Sequence, residues 1–200
     1  MNRRTALAAG LLALLALGTP AWAFDNEQTF AKGTYVFSFE GGYGEQFNLE
    51  GHRVQSDVAF FNLGIRAALL PFDRFGGGGP LQGALELGVE PLYQRYTEPK
   101  PAFWGGVAAV ARYHFLGLGR LVPYAELAGA AGGTDLRVRE IASDLSFLLW
   151  GGVGVSVFVT DSTAVYAGYR FEHNSNGDTS RPNRGWESHV GVVGVSYYLQ

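Results

Sequence analysis

The sequence predicts an all-β fold: an eight-stranded antiparallel transmembrane β-barrel of the outer-membrane kind. Three observations predict it. Apolar residues alternate with period two through most of the chain, as they do when successive side chains face opposite sides of a strand. The connections between the alternating segments are mostly short on one rim and longer on the other, the outer-membrane barrel pattern. One face of the alternation is apolar, and the other carries charge. Length and composition suit one such domain. Of 200 residues, 47% are hydrophobic, 14% aromatic and 29 are glycine, too apolar for a disordered chain and without the Gly-X-Y period of collagen. The absence of cysteine excludes a disulfide scaffold and thiolate metal sites. A formal net charge of −3 provides no general attraction to nucleic acid.

Residues 1–23 are expected to be a signal peptide. Arg3 and Arg4 make a basic start, residues 6–17 are apolar, and Pro20 precedes the cleavage pattern Ala21-Trp22-Ala23. The apolar run falls short of the ~20 residues that a helical span requires. Residues 24–200 are then expected to form the β-barrel domain. Strands are predicted at 34–41, 57–71, 81–97, 102–117, 121–131, 144–160, 163–174 and 186–199. The seventh shows the alternation clearly. Val165, Ala167, Tyr169 and Phe171 lie on one face, with Arg170 and Glu172 on the other. No segment keeps a helical period.

The connectors near 72–80, 118–120 and 161–162 carry turn residues, and those near 42–56, 132–143 and 175–185 are longer and polar; the short link at 98–101 is an exception. With an even strand number and a periplasmic N-terminus, the first set is periplasmic and the second extracellular. Odd-numbered residues such as Phe61, Leu63, Ile65, Val153 and Val155 suit lipid. Even-numbered ones include Arg66, Glu86, Glu90, Arg112, His114, Glu126, Arg170 and Glu172. An arginine facing lipid at mid-bilayer costs ~2–4 kcal/mol, so this set is expected inside, paired as three arginines against four glutamates. An eight-stranded lumen is filled by side chains rather than open as a channel. A soluble lipocalin-like barrel would have the inverse pattern, apolar inside.

The segment with chemistry is Phe171-Glu172-His173-Asn174-Ser175-Asn176-Gly177, followed by Pro182-Asn183-Arg184-Gly185-Trp186-Glu187-Ser188. His173 and Ser175 lie two apart on the outward face of the seventh strand, and Glu187 opens the eighth with outward parity. Three polar residues thus converge where apolar ones are expected. Acyl transfer requires such a set: a base to take the serine proton, a carboxylate to orient the imidazole and donors for the oxyanion. Asn176 and the backbone around Gly177 are the nearest donors. His52, His114 and His189 share no metal-ligand spacing, so no metal site is expected, and the run Gly76–Gly79 lacks the Lys-Ser/Thr of a phosphate loop.

His173-x-Ser175-Asn176 with Pro182-Asn183-x-Gly185-x-Glu187-Ser188 resembles the signature of the PagL-type lipid A 3-O-deacylases, outer-membrane esterases with an eight-stranded barrel. The glutamate follows the serine by twelve residues, as it does here. The resemblance implies a triad of His173, Ser175 and Glu187, an oxyanion role for Asn176 and a loop-organising role for Asn183. It spans residues 173–188; Gly177 and Asp178 follow the Ser-Asn pair where members often carry small residues. The implied function is hydrolysis of the acyl chain ester-linked at the 3-position of lipid A. A non-catalytic small barrel, serving adhesion or envelope integrity, is the competing class. No cofactor is expected, because a triad hydrolyses an ester without metal. The expected partner is lipid A or lipopolysaccharide in the membrane that embeds the barrel, not nucleic acid. A homodimer is compatible with the sequence.

Overall fold

The computed structural model describes residues 24–47, 49, 54–77, 79 and 81–200; the expected signal peptide lies outside them. A one-turn helix, α1 (Asn26–Thr29), precedes eight strands: β1 (Tyr35–Phe47), β2 (Ala59–Leu69), β3 (Gly83–Glu98), β4 (Ala102–Phe115), β5 (Leu121–Thr134), β6 (Leu145–Phe158), β7 (Thr163–Ser175) and β8 (Trp186–Leu199). Each strand pairs antiparallel with the next, and β8 closes on β1, so the sheet is a closed barrel. Closure leaves no unpaired strand edge.

Two strands run further than the sequence predicts. β1 continues to Phe47, paired with Glu187 of β8, and β5 continues to Thr134, paired with Trp104 of β4. Their ends are glycine-rich and read as loop. The glycines in fact make room for large rings in the lumen. A Cβ on Gly44 would lie 2.4 Å from the Phe60 ring, and one on Gly132 2.5 Å from Trp104. Helix α1 is too short to show a period. Asp25 caps it by accepting from the Gln28 N–H, and Phe30, just beyond, enters the bottom of the barrel.

The parity holds. Phe61, Leu63, Ile65 and Val153 are exposed on the outer wall, whereas Arg66, Arg112 and Arg170 are almost fully buried. The lumen has three layers. At the α1 end Phe30 packs against His114, Phe158 and Tyr198 in an apolar cluster. At the other end Phe60, Tyr96, Trp104, Trp150 and Trp186 form an aromatic cluster roofed by Leu136 and Ile141.

Charge lies between them. Arg170 contacts Glu40 and Glu126 at 2.5 Å each, Arg112 contacts Glu126 at 2.7 Å, and Arg66 contacts Glu90 at 2.6 Å. His114 Nε2 lies 2.8 Å from Glu86, and Tyr166 donates to Glu40. The expected pairing needs one correction. Glu172 contacts none of the arginines; it accepts from Gln94. Glu40, an even-numbered residue of β1, takes its place.

Glu126 accepts from both Arg112 and Arg170. Glu126→Ala should therefore leave two buried guanidinium groups short of a counter-charge, a loss of ~3–5 kcal/mol. Urea titration of the heat-modifiable folded band in detergent should show it, with the lipid-facing variant Val153→Ala staying near wild type.

Candidate functional site

The β7–β8 register sets the site. His173 stands directly opposite Glu187, and both side chains are on the outer wall. His173 Nδ1 lies 3.0 Å from Glu187 Oε1, a hydrogen bond in which the imidazole donates if the proton is on Nδ1. The pair is only partly shielded, with His173 37% and Glu187 17% exposed. Ser175 is the last residue of β7, half-buried on the same face and opposite Phe147 of β6. Its hydroxyl forms no hydrogen bond among the described residues, so the predicted histidine and carboxylate are in contact and the serine sits beside them, unbonded.

The loop after Ser175 turns at once. Gly177 and Asp178 both have positive φ, +62° and +61°, and the Thr179 N–H returns to the Asn176 carbonyl. This is a type I′ turn, which requires left-handed backbone at both central positions. The amide of Asn176 donates to the Ser180 carbonyl (2.9 Å) and hydroxyl (3.1 Å), and its backbone N–H donates to Asn183 Oδ1 (2.9 Å). Asn176 and Asn183 therefore hold the two limbs of the loop together. Both donor groups of Asn176 are engaged, whereas the Gly177 backbone N–H has no acceptor among the described residues.

Two further residues matter here, and the strand pattern did not single them out. Gly185 lies in the quoted motif, and the structure supplies the reason. Its φ is +67°, and a Cβ there would stand 2.8 Å from His173 Cε1 and 3.3 Å from Nε2. The chain thus passes tightly over the imidazole edge. Glu140, fully buried in the β5–β6 loop, is the second. Its carboxylate accepts from the Ser56 hydroxyl (2.6 Å), the Ser56 N–H (3.1 Å) and Gln46 (3.0 Å), and it pairs with Arg184 (3.5 Å). Its carbonyl accepts the Arg184 N–H, and the neighbouring Ile141 bridges to Asn183. One carboxylate thus joins three loops and steadies the limb that carries Gly185 and Glu187. Nothing in a one-dimensional pattern marks a lone glutamate in a polar loop for this part.

With the geometry in place, comparison with known proteins identifies the lineage. The model of the family described as lipid A 3-O-deacylase (PagL) matches residues 75–196, more than half of the chain. The chain belongs to that family. It is accordingly an esterase, a lipid A 3-O-deacylase of the outer membrane. Among solved structures, the crystal structure of the outer-membrane enzyme PagL superposes with a TM-score of 0.62 at 18% identity, covering 78% of this chain and 97% of that one. Neisserial surface protein A gives a TM-score of 0.57 at 21% identity, over 83% and 99% of the two chains. At these identities the two structures speak for the fold alone. No curated protein matches the sequence. The comparisons give no support for a homodimer.

Two outcomes follow for this PagL-family chain. Gly185→Ala should displace the His173 ring and strain the backbone, lowering hydrolysis at least ~10-fold, the equivalent of ~1.4 kcal/mol, while the barrel still folds. Lipid A hydrolysis and the heat-modifiable band measure the two effects separately. Glu140→Ala should loosen the three loops without opening the barrel. Limited proteolysis in detergent should then cut the loops faster, with the strands still protected.

Proposed function

We propose that the enzyme removes the acyl chain ester-linked at the 3-position of lipid A, with Ser175 as nucleophile, His173 as general base and Glu187 as the orienting carboxylate, at the outer-leaflet face of the barrel. One observation carries this reading. A hydrogen-bonded His–Glu pair stands on the lipid side of two adjacent strands, where no structural requirement of the barrel calls for it. Ser175 is the next outward residue along β7.

The steps follow from the groups present. Ser175 Oγ attacks the ester carbonyl as His173 Nε2 takes its proton. Glu187 keeps the other proton on Nδ1 and stabilises the imidazolium. The carbonyl oxygen becomes an oxyanion, for which the Gly177 N–H is the available donor. Collapse expels the sugar 3-oxygen, which receives the proton from His173. Water then attacks the acyl-enzyme, with His173 again as base, and the free fatty acid leaves. Ser175 and His173 share no hydrogen bond among the described residues, and in the proposed reaction that contact closes with substrate in place, as catalytic contacts often do. Asn176 and Asn183 serve as loop supports that hold the Gly177 turn.

The depth of the site fits the substrate. From the turn at Asp161 to His173, about twelve residues at ~3.3 Å each and a tilt near 45° rise roughly 28 Å, close to the thickness of the hydrocarbon core. His173 and Ser175 would then lie at the boundary between acyl chains and headgroups. An ester joining a sugar to a fatty acid lies at that same boundary, so the substrate need not be drawn from the membrane.

Ser175→Ala and His173→Ala should each remove nearly all deacylation while the barrel folds. Glu187→Ala should be milder, because it acts through the histidine. Mass spectrometry of lipid A from cells carrying each variant reads this as the presence or loss of one hydroxyacyl chain. Retention of wild-type turnover by Ser175→Ala would exclude the nucleophile. A soluble short-chain ester should be a poor substrate, since it gains no binding from the apolar wall; equal efficiency on both kinds of ester in matched detergent would count against a membrane-facing site.

A further inference from the structure

The end of the barrel remote from His173 and Glu187 carries a second organised surface. Between α1 and the β2–β3 turn lies a hollow of about 390 Å³, a size that suits a small ligand. Glu27, Phe30 and Lys32 line it from the N-terminal segment, and Asp73, Arg74 and Phe75 from the turn. The turn is held in shape by its own contacts. Phe75 and Gly83 exchange both backbone hydrogen bonds, at 2.9 and 3.1 Å. The Tyr113 hydroxyl donates to the Leu81 carbonyl at 2.7 Å. Phe75 belongs both to the hollow and to an aromatic band beside it. Its ring centroid lies 6.1 Å from that of Phe72 and 6.3 Å from that of Tyr113, and Tyr113 in turn meets Phe115 edge-on at 5.1 Å. Phe72, Phe75 and Leu81 are exposed.

The charges in the hollow are only partly matched. Arg74 Nη2 meets Glu27 at 3.1 Å, a pair in which the carboxylate is 77% exposed and the hold accordingly weak. Arg74 Nη1 is shielded from water and has no hydrogen-bond partner among the described residues, so the guanidinium has an unmet need for an acceptor. Lys32 and Asp73 are exposed and have no partner among the described residues. Two cations and two carboxylates thus share one small space. A simple anion would be held by the cations and repelled by Asp73 and Glu27. A zwitterion with a phosphate and a primary ammonium satisfies all four: the phosphate accepts from Arg74 and Lys32, and the ammonium donates to Asp73 and Glu27. Aromatic side chains on a barrel gather where hydrocarbon meets headgroups. A soluble ligand would leave Phe72, Phe75 and Leu81 uncovered, whereas the chains of a lipid would cover them. With the termini in the periplasm, this end of an outer-membrane barrel meets the inner leaflet, which is built of phospholipids.

We propose that the hollow between α1 and the β2–β3 turn is a headgroup site for an inner-leaflet phospholipid bearing a primary amine, with its phosphate on Arg74 and Lys32 and its ammonium on Asp73 and Glu27. Arg74 turns from its weak pair with Glu27 to the phosphate, which frees Glu27 for the ammonium. The acyl chains lie against Phe75 and Leu81. The bound lipid ties the N-terminal segment to the turn, and with it Phe30, which fills the apolar layer at this end of the lumen. The site is independent of the assignment of Ser175 as nucleophile.

The test is native mass spectrometry of the folded protein, released from detergent micelles doped with equal amounts of dioleoyl phosphatidylethanolamine, phosphatidylcholine and phosphatidylglycerol. One phosphatidylethanolamine should stay bound, at least ~5-fold more often than either competitor. Phosphatidylcholine has no N–H to donate to the carboxylates, and phosphatidylglycerol has no cation. Lys32→Ala with Arg74→Ala should abolish retention, and Arg74→Lys, which keeps the charge, should retain part of it. Asp73→Asn with Glu27→Gln should remove the preference over phosphatidylglycerol while a lipid still binds. Lipid A hydrolysis and the heat-modifiable band should stay near wild type in every variant, which separates loss of the site from loss of the fold. Equal retention of the three lipids by the wild type overturns the site, as does undiminished retention by the Lys32→Ala/Arg74→Ala protein. Displacement of the lipid by an equal concentration of water-soluble glycerophosphoethanolamine would make the ligand a soluble one and overturn the lipid assignment.

Discussion

The pairing of Arg66, Arg112 and Arg170 with Glu40, Glu86, Glu90 and Glu126 inside the barrel is the interaction on which the rest depends. These side chains are almost wholly shielded from solvent, so each needs a counter-charge in the lumen. A strand's side chains alternate, and a slip of one residue would turn an arginine of that strand to lipid and an apolar residue into the network. The network therefore determines parity for every strand that contributes to it, including β7 through Arg170. Once Arg170 points inward, His173 and Ser175 must point outward. Glu187 follows from its register with His173. The position of the site on the outer wall is thus a consequence of interior electrostatics.

The layering divides the work. The aromatic cluster under the loops, built on Trp104, Trp150 and Trp186, fills the mouth of the barrel and gives the loops an apolar floor. On that floor Leu136 and Ile141 anchor the β5–β6 loop, and Glu140 ties it to the β1–β2 and β7–β8 loops. The His173–Glu187 geometry is supported by strand pairing from below and by this loop assembly from above. Neither support involves the lumenal charges directly. Substitutions in the lumen should act on folding, and substitutions in the loops on the site.

Much of this was legible in the sequence because period-two alternation is a strong signal when one face meets lipid and the other meets charge. Strand number, inward arginines, outward aliphatics and the convergence of His173, Ser175 and Glu187 all follow from parity and spacing. The strand ends of β1 and β5 did not, because glycine in a strand reads as a turn unless one knows that Phe60 and Trp104 need its space. Glu40 was readable by parity and lay inside the predicted 34–41 strand, but it was not counted among the inward charges. Glu172 had the right parity and still went to Gln94. Parity assigns a face, whereas the partner depends on position along the barrel axis. Glu140 and the packing of Gly185 on His173 arise from contacts between loops, for which a linear pattern has no period.

The serine hydroxyl without a hydrogen bond is consistent with the same economy. Ser175 is only half-buried at the end of its strand, so its unbonded hydroxyl does not carry the full cost of a buried polar group without a partner. Glu187 can hold His173 in orientation at all times, because a carboxylate and an imidazole satisfy one another. In the proposed reaction Ser175, half-buried opposite Phe147, meets its base only when an ester excludes water from the wall. In the same proposed reaction the Gly177–Asp178 turn presents a backbone donor immediately after Ser175, and its left-handed backbone is held by Asn176 and Asn183 rather than by the strands. The rigid elements thus place His173 and Glu187, while Ser175 and the Gly177–Asp178 turn sit at the strand's end, where a small adjustment costs least.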